Sequence, residues 1–250
     1  MMHRNHCVSG MITGCLIATA IPYAPLPIRM LVIPLCGGAA LLPDLDQPGS
    51  KPARSLGPIT NNLAKLIKAG SLNVYHASRG PGDNPNREDG HRTFSHTIPG
   101  CVIPGAITAV AVWANLWAAV AVIALLIGLM AYSTPKVGPG FVAAGGLMAW
   151  WVMTHSFGWS WVWPIAVAAG AITHVLGDAM TNSGVPLLWP LERDGKRWGK
   201  VRTPATFETG EATEMGAVTW AMRGGLVVAL GLASGLLVPL LVALYRATVT

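Results

Sequence analysis

The sequence predicts an all-α fold: a polytopic integral membrane bundle of about five to seven apolar helices in one domain, residues 1–250, with polar loops 43–96 and 181–216 on one face. Three observations lead there. Hydrophobic residues make up 52% of the chain and charged residues 11%, against roughly 25% charged in ordinary soluble domains. Thr97 to Ser133 contains no charged residue at all, too long a run for one crossing and suited to two short ones turning near Asn115. The ionisable side chains gather at the borders of such runs rather than inside them.

Taken in order, Arg4 precedes an apolar stretch from Val8, and Ala18-Thr19-Ala20 has the small residues of a cleavage site. The segment therefore reads either as a signal peptide or as a first helix; Ser9, Gly10, Thr13 and Gly14 dilute it and favour the helix. Pro22, Pro25 and Pro27 break the chain before a second short run, Ile28 to Leu42, which stops at Pro43. Each run is short of the about 20 residues of a full crossing, so the pair is expected as a tight helical hairpin partly buried among other helices.

In the first polar loop Leu56, Ile59, Leu63, Leu66 and Ile67 recur at helical spacing. This is a short amphipathic helix lying on the membrane surface or packed on the protein's own loops; both readings fit. Arg79 to Gly90, rich in Gly, Pro and Asn, reads as flexible loop. Beyond Ser133, Pro135 to Pro139 interrupts the chain, and apolar runs follow from Phe141 to Thr154 and from Trp161 to Asp178. Trp150, Trp151, Trp159, Trp161 and Trp163 crowd the turn between them, as in an interfacial aromatic belt. The second polar loop carries Asp194-Gly195, the turn of a small hairpin. A last run, Ala217 to Tyr245, is long enough to span alone.

The net charge of +6 does not point to nucleic acid, because no basic run interleaved with aromatics occurs. The cations sit in loops beside apolar segments, where they orient a protein in the lipid bilayer and attract anionic headgroups. Cys7, Cys15, Cys36 and Cys101 lack a C-x-x-C spacing and read as small packing residues.

Three polar clusters remain: Pro43-Asp44-Leu45-Asp46, Gly90-His91-Arg92-Thr93-Phe94-Ser95-His96 and His174-Val175-Leu176-Gly177-Asp178. If the seven apolar segments alternate in direction, His6, Asp44, Asp46, His91, His96, His174 and Asp178 all emerge at one membrane face. The distribution of cations tests this independently: Arg4, seven Lys/Arg of the first loop, Lys136, five of the second loop and Arg223 share that face, 15 against the 2 opposite, Arg29 and Arg246. By the positive-inside rule the site face is cytoplasmic, and the expected location is a bacterial inner membrane.

Locally, His174 and Asp178 are four apart and share one side of a helix. Asp44 and Asp46 come to one side if the chain is extended after Pro43. His91 belongs to the loop, and Ser95 is placed as the cap of the following helix. Four histidines and three carboxylates suit a divalent metal, zinc first, with iron, manganese and nickel as alternatives; seven ligands allow two or more ions. Such a site activates water against an ester. Asp46 is assigned as bridging ligand or general base. Arg92 is assigned as a phosphate clamp, with pairing to Asp44 or to a lipid headgroup as the alternatives. Isolated histidines are usually structural, and His3, His76 and His155 are read so. A carboxylate at membrane depth, such as Asp178, is functional by default; the competing reading is a buried His174/Asp178 pair locking helices together.

These residues together resemble the YdjM-like family of membrane-bound, predicted metal-dependent hydrolases. The matching features are His6 before the first apolar segment, Leu41 to Ser50, Gly90 to His96, and His174 to Thr181 running into Gly184 to Pro190. Gln47 departs from the family pattern, which often has histidine there, and the loop before Gly90 is longer than usual. The His/Asp pattern is also faintly similar to zinc-dependent phospholipase C and P1-type nucleases. That resemblance implies a phosphoester substrate, a phospholipid or another membrane-embedded phosphoester. A second reading is a non-enzymatic protein that binds or transports a divalent metal; transport predicts a polar path through the bilayer, which the uncharged runs do not offer. A third is a structural protein knitted by buried polar pairs.

Overall fold

The computed structural model describes residues 1–133 and 139–236, with two isolated positions, 239 and 243. Among the described residues the fold is all-α, with nine α-helices. The interruption expected at 135–138 and the end of the last apolar run lie outside the described residues.

The proline-punctuated start of the chain folds as the expected hairpin, α1 (His3–Ala20) and α2 (Leu26–Ala39). Pro25 and Pro27 stand at the beginning of α2, where a missing N–H costs nothing. Arg29 donates to the carbonyl oxygens of Ala18 and Ala233, so its guanidinium holds the far ends of two helices, where the helix dipole favours a cation.

Helix α2 is the buried axis, with Ile28, Val32, Leu35 and Cys36 shut off from solvent. Its neighbours come close enough that only glycine fits at several contacts. A Cβ on Gly38 would stand 1.9 Å from the carbonyl oxygen of Leu126, and one on Gly170 would stand 2.6 Å from that of Cys36.

The run without charge divides where expected. Asn115 is extended between α5 (Ile98–Ala114) and α6 (Leu116–Ser133), and its Oδ1 accepts from the N–H groups of Trp117 and Ala118. Then come α7 (Pro139–His155), α8 (Val162–Ala179), a π-turn Glu214–Val218, and a final helix (Thr219–Ala233). Among the described residues three helical stretches are long and apolar enough to cross a membrane, Leu26–Asp46, Phe157–Ala179 and Glu214–Ala233, and Ile98–Ala114 and Leu116–Tyr132 are shorter apolar helices. The outer side of α5 exposes Ile107, Val110 and Trp113, a surface suited to lipid.

Two short helices belong to the first polar loop, α3 (Lys51–Arg54) and α4 (Pro58–Ser78). One side of α4 packs on the turns at Pro43–Asp46 and Phe94–His96, burying Thr60, Ala64, Ser71 and Tyr75, while Ile59 and Leu66 stay exposed. It thus roofs the site. The loop after it is less free than its composition suggests. Asp83 is buried and accepts from the N–H groups of Gly80, Arg197 and Trp198, tying the two polar loops together. The Asp194-Gly195 turn forms with positive φ at both positions, closed by reciprocal backbone hydrogen bonds between Arg193 and Lys196, without extended strands.

The aromatic belt needs one correction. Trp150, Trp151 and Trp161 are partly exposed, but Trp163 is wholly buried in the core. Cys36 and Cys101 are buried with their thiols donating to the carbonyls of Ala166 and Ala171, in keeping with a packing role.

Candidate metal centre

Each member of the site is placed by the end of an apolar element. His6 lies in the second turn of α1, and His174 and Asp178 occupy the last turns of α8. The chain leaving α2 turns through a 3-10 segment, Pro43–Asp46, and the chain approaching α5 turns through another, Phe94–His96. All seven residues singled out as ligands, and Arg92, converge there.

His174 fixes the geometry. Its Nδ1 donates to the carbonyl oxygen of Ala40 at 2.7 Å, so Nε2 carries the lone pair. That atom is buried without a hydrogen-bond partner, 3.6 Å from Asp44 Oδ1 and 3.7 Å from Asp178 Oδ2. The ring of His6 stacks on that of His174 at 3.6 Å between centroids, with Nε2 3.1 Å from Asp178 Oδ1. The Met1 amino nitrogen lies 2.6 Å from the same oxygen.

Asp46 has a different environment. It is fully buried and accepts from His91 Nδ1 at 2.6 Å, from the Arg92 N–H at 3.1 Å and from the hydroxyl of Ser95; His96 Nδ1 is 3.1 Å away. A carboxylate so engaged holds two imidazoles by Nδ1 and leaves their Nε2 atoms for other work. His96 Nε2 points towards Asp178 Oδ2, 3.5 Å away, with no hydrogen-bond partner. Burial alone would lower the pKa of His96, but the Asp46 and Asp178 carboxylates outweigh it and raise it to about 9.

Among the described residues three groups of side chains bring ligand atoms within 4.8 Å of one another: His6, Asp44 and His174; Asp44, His91 and His96; and His96, His174 and Asp178. Asp44, His96 and His174 each belong to two of them, and Asp46 to none. The buried atoms at their meeting point, His96 Nε2 and His174 Nε2 without hydrogen-bond partners and Asp178 Oδ2 in its ion pair with Arg92, make a nitrogen and oxygen set suited to a divalent cation. Buried polar atoms left without partners are costly, and a cation there would satisfy them together.

Solvent reaches the cluster through Asp44, His91 and Arg92, whose side chains are 18%, 26% and 13% exposed. Arg92 pairs with Asp178 at 2.9 Å and reaches Thr181 Oγ1 at 3.3 Å, rather than pairing with Asp44. Its backbone φ is +54°, an uncommon conformation for a side-chain-bearing residue. Burial, with Arg87, Arg92 and Arg202 close by, lowers the pKa of Lys200, marking a concentration of positive charge at this mouth.

Two local expectations are corrected. The chain after Pro43 is a 3-10 turn, not extended; Asp46 is driven inward while Asp44 stays at the rim. The N-cap of α5 is Thr97, which accepts from the Gly100 N–H at 3.0 Å, because Ser95 is engaged with Asp46. Sequence reasoning also missed Glu214, a wholly buried carboxylate that accepts from the Met2 N–H and Asn5 Nδ2 and so anchors the start of the helix bearing His6. Its position at the head of the last apolar segment was the available signal. His76 and His155 lie apart, each near a backbone carbonyl, of Arg87 and Trp151 respectively.

Fold and site together define a helical membrane protein with a buried histidine and carboxylate cluster at one end of its bundle. The chain belongs to the YdjM inner membrane protein family, whose family model matches residues 1–134 and 139–248. The resemblance carried by separate motifs thus extends over nearly the whole chain. No curated protein and no solved structure matches it.

Proposed function

We propose that this protein is a membrane-bound, metal-dependent hydrolase acting on a phosphoester at the cytoplasmic face of the membrane. The observation that carries the reading is the convergence of orphaned buried atoms around His174 Nε2, whose lone pair is directed into the cluster by Ala40. His6, Asp44, His91, His96, His174 and Asp178 would hold divalent metal, zinc first and with room for more than one ion. The metal would supply Lewis acidity and an activated water at neutral pH.

The remaining chemistry belongs to the chain. Asp46 orients His91 and His96; its saturated hydrogen bonding favours this positioning role over the bridging or base role considered from sequence. Arg92, at the mouth and always charged, would bind a phosphate with the planar fork that suits phosphate oxygens. The α4 roof and the burial of His6, His96 and His174 limit water to the open side. Hydrolysis is favoured over transport because the cluster lies at one end of the bundle and α5, α6 and the described part of α7 contain no Asp, Glu, Lys or Arg.

Elemental analysis of detergent-purified protein beside His91→Ala, His174→Ala and Asp178→Ala tests the site, and phosphoester screening of the loaded protein tests the activity. Stoichiometric metal lost in all three folded variants, with hydrolysis lost in parallel, is the expected result. No bound metal after reconstitution with zinc, manganese, iron or nickel sinks the reading.

A further inference from the structure

Beside the metal centre lies a second feature that the hydrolytic chemistry does not use. A cavity of about 440 Å³ runs between α4, α5, α6 and α8, well within the roughly 300–1,000 Å³ of ligand sites. Its walls are aliphatic, and its few polar lining side chains include Ser71, Ser95 and Thr108. Ser95 is the hydroxyl that donates to Asp46, and Pro43 precedes Asp44, so one end of the cavity abuts the cluster. From the start of α5 to Ile107 it extends about 14 Å along the helix axis, at 1.5 Å per residue. There Ile103 and Ile107 are 43% and 58% exposed, opening it to the lipid-facing side of α5.

An elongated apolar slot, parallel to membrane helices, open to lipid at one end and ending at a polar centre, matches one kind of ligand. We propose that this cavity holds an acyl chain of a membrane phospholipid, placing the lipid's phosphate at the mouth formed by Asp44, His91 and Arg92. This rests on the hydrolase reading for its consequence, that the substrate is a phospholipid drawn laterally from the bilayer, but the binding site stands on its own walls. Charge complementarity supports the assignment. Arg92, and Arg87, whose Nη2 donates to the His91 carbonyl at 2.6 Å, put positive charge at the mouth, with Lys200 and Arg202 alongside, and suit an anionic headgroup. The mostly aliphatic walls of the slot suit an acyl chain better than a polar solute.

The test is photolabelling in vesicles of phosphatidylethanolamine and phosphatidylglycerol doped with a phosphatidylglycerol bearing a diazirine in its acyl chain. Labelled peptides are mapped in the wild type, Gly70→Leu, Ile103→Trp and the control Val110→Trp. Gly70 lines the cavity on the exposed side of α4, and a Cβ added there meets nothing within 4 Å, so leucine adds bulk at the cavity rim without a clash. Ile103→Trp narrows the slot from α5 should Gly70→Leu fail to fold. Val110 is an exposed α5 position outside the cavity lining.

Labels concentrated on cavity-lining positions such as Ile103, Ile107 and Leu125, and reduced at least about tenfold by either filling variant but not by Val110→Trp, are expected, tenfold being about 1.4 kcal/mol of binding. Even labelling of all outward helix faces, unchanged in the filling variants, overturns the proposal. Labelling that persists in a protein without metal or activity keeps the acyl site and rejects the hydrolase. Hydrolysis of short-chain phosphoesters without cavity labelling rejects the acyl site alone.

Discussion

His174 and Ala40 are joined by a 2.7 Å hydrogen bond from Nδ1 to the backbone oxygen, tying the last turns of α8 to the residue that follows α2. The bond selects the imidazole tautomer and aims the other nitrogen into the cluster, as the outer hydrogen bond of a metal-binding histidine does. It also satisfies a carbonyl at a helix end that would otherwise be buried without a partner. His174→Ala therefore removes a proposed ligand and orphans an acceptor. Its expected phenotype is loss of bound metal by elemental analysis with a stability loss of about 1–3 kcal/mol from the unsatisfied carbonyl, read as a lowered Tm of the metal-free protein. Retention of full metal stoichiometry would remove His174 from the ligand set.

Asp46→Asn should behave differently. The amide keeps the size of the side chain but turns one acceptor into a donor, facing either His91 Nδ1 or the Arg92 N–H and Ser95 hydroxyl, which also donate. His91 and His96 then lose their common orienting partner without being removed. Metal affinity is expected to fall by about 10–100-fold, the usual cost of an outer partner, measured by chelator competition. Complete loss of binding, equal to that of His174→Ala, would instead make Asp46 a direct ligand.

What could be read from sequence follows from where the information lies. Charge-free runs, prolines and the single Asn115 break determine helices through periodicity and backbone chemistry, and these were legible. The cluster was legible because ionisable residues at the borders of apolar runs are expensive unless they serve one another. The roles within it were not. Whether Asp46 or Asp44 points inward depends on a 3-10 turn of four residues, which no periodicity announces. The Ala40 carbonyl has no side-chain signature, and Trp163, buried among partly exposed tryptophans, is set by packing against α2 and its neighbours. The cavity too exists only once α4 is laid over α5, α6 and α8.

The pH dependence of the metal-free protein follows from His96. Its pKa in the folded state is raised to about 9 from an ordinary 6.5 by the two carboxylates. The pairing stabilises the fold in full below pH 6.5 and is lost as the pH rises towards 9. The Tm of the metal-free protein is thus expected to fall across that window, and less in His96→Gln. With His96 as a ligand, as proposed, metal displaces its proton, and binding at pH 7.5 should release protons. Calorimetry in buffers of different ionisation enthalpy measures this; identical heats in both would contradict it.

Arg92 is the last point at which geometry separates two roles. It is held at φ +54°, where a side chain is strained, and faces Asp178 and Thr181 from the exposed side of the cluster. As an internal counter-ion to Asp178 it would need only charge, and lysine would replace it. As a phosphate clamp it needs the planar fork as well, which lysine does not have. Arg92→Lys is therefore expected to keep metal content and Tm near the wild type while raising KM for a phosphoester substrate by about tenfold, the equivalent of roughly 1.4 kcal/mol of binding. Unchanged KM with a lowered Tm would assign Arg92 to the structure alone and leave the phosphate to Arg87, Lys200 and Arg202.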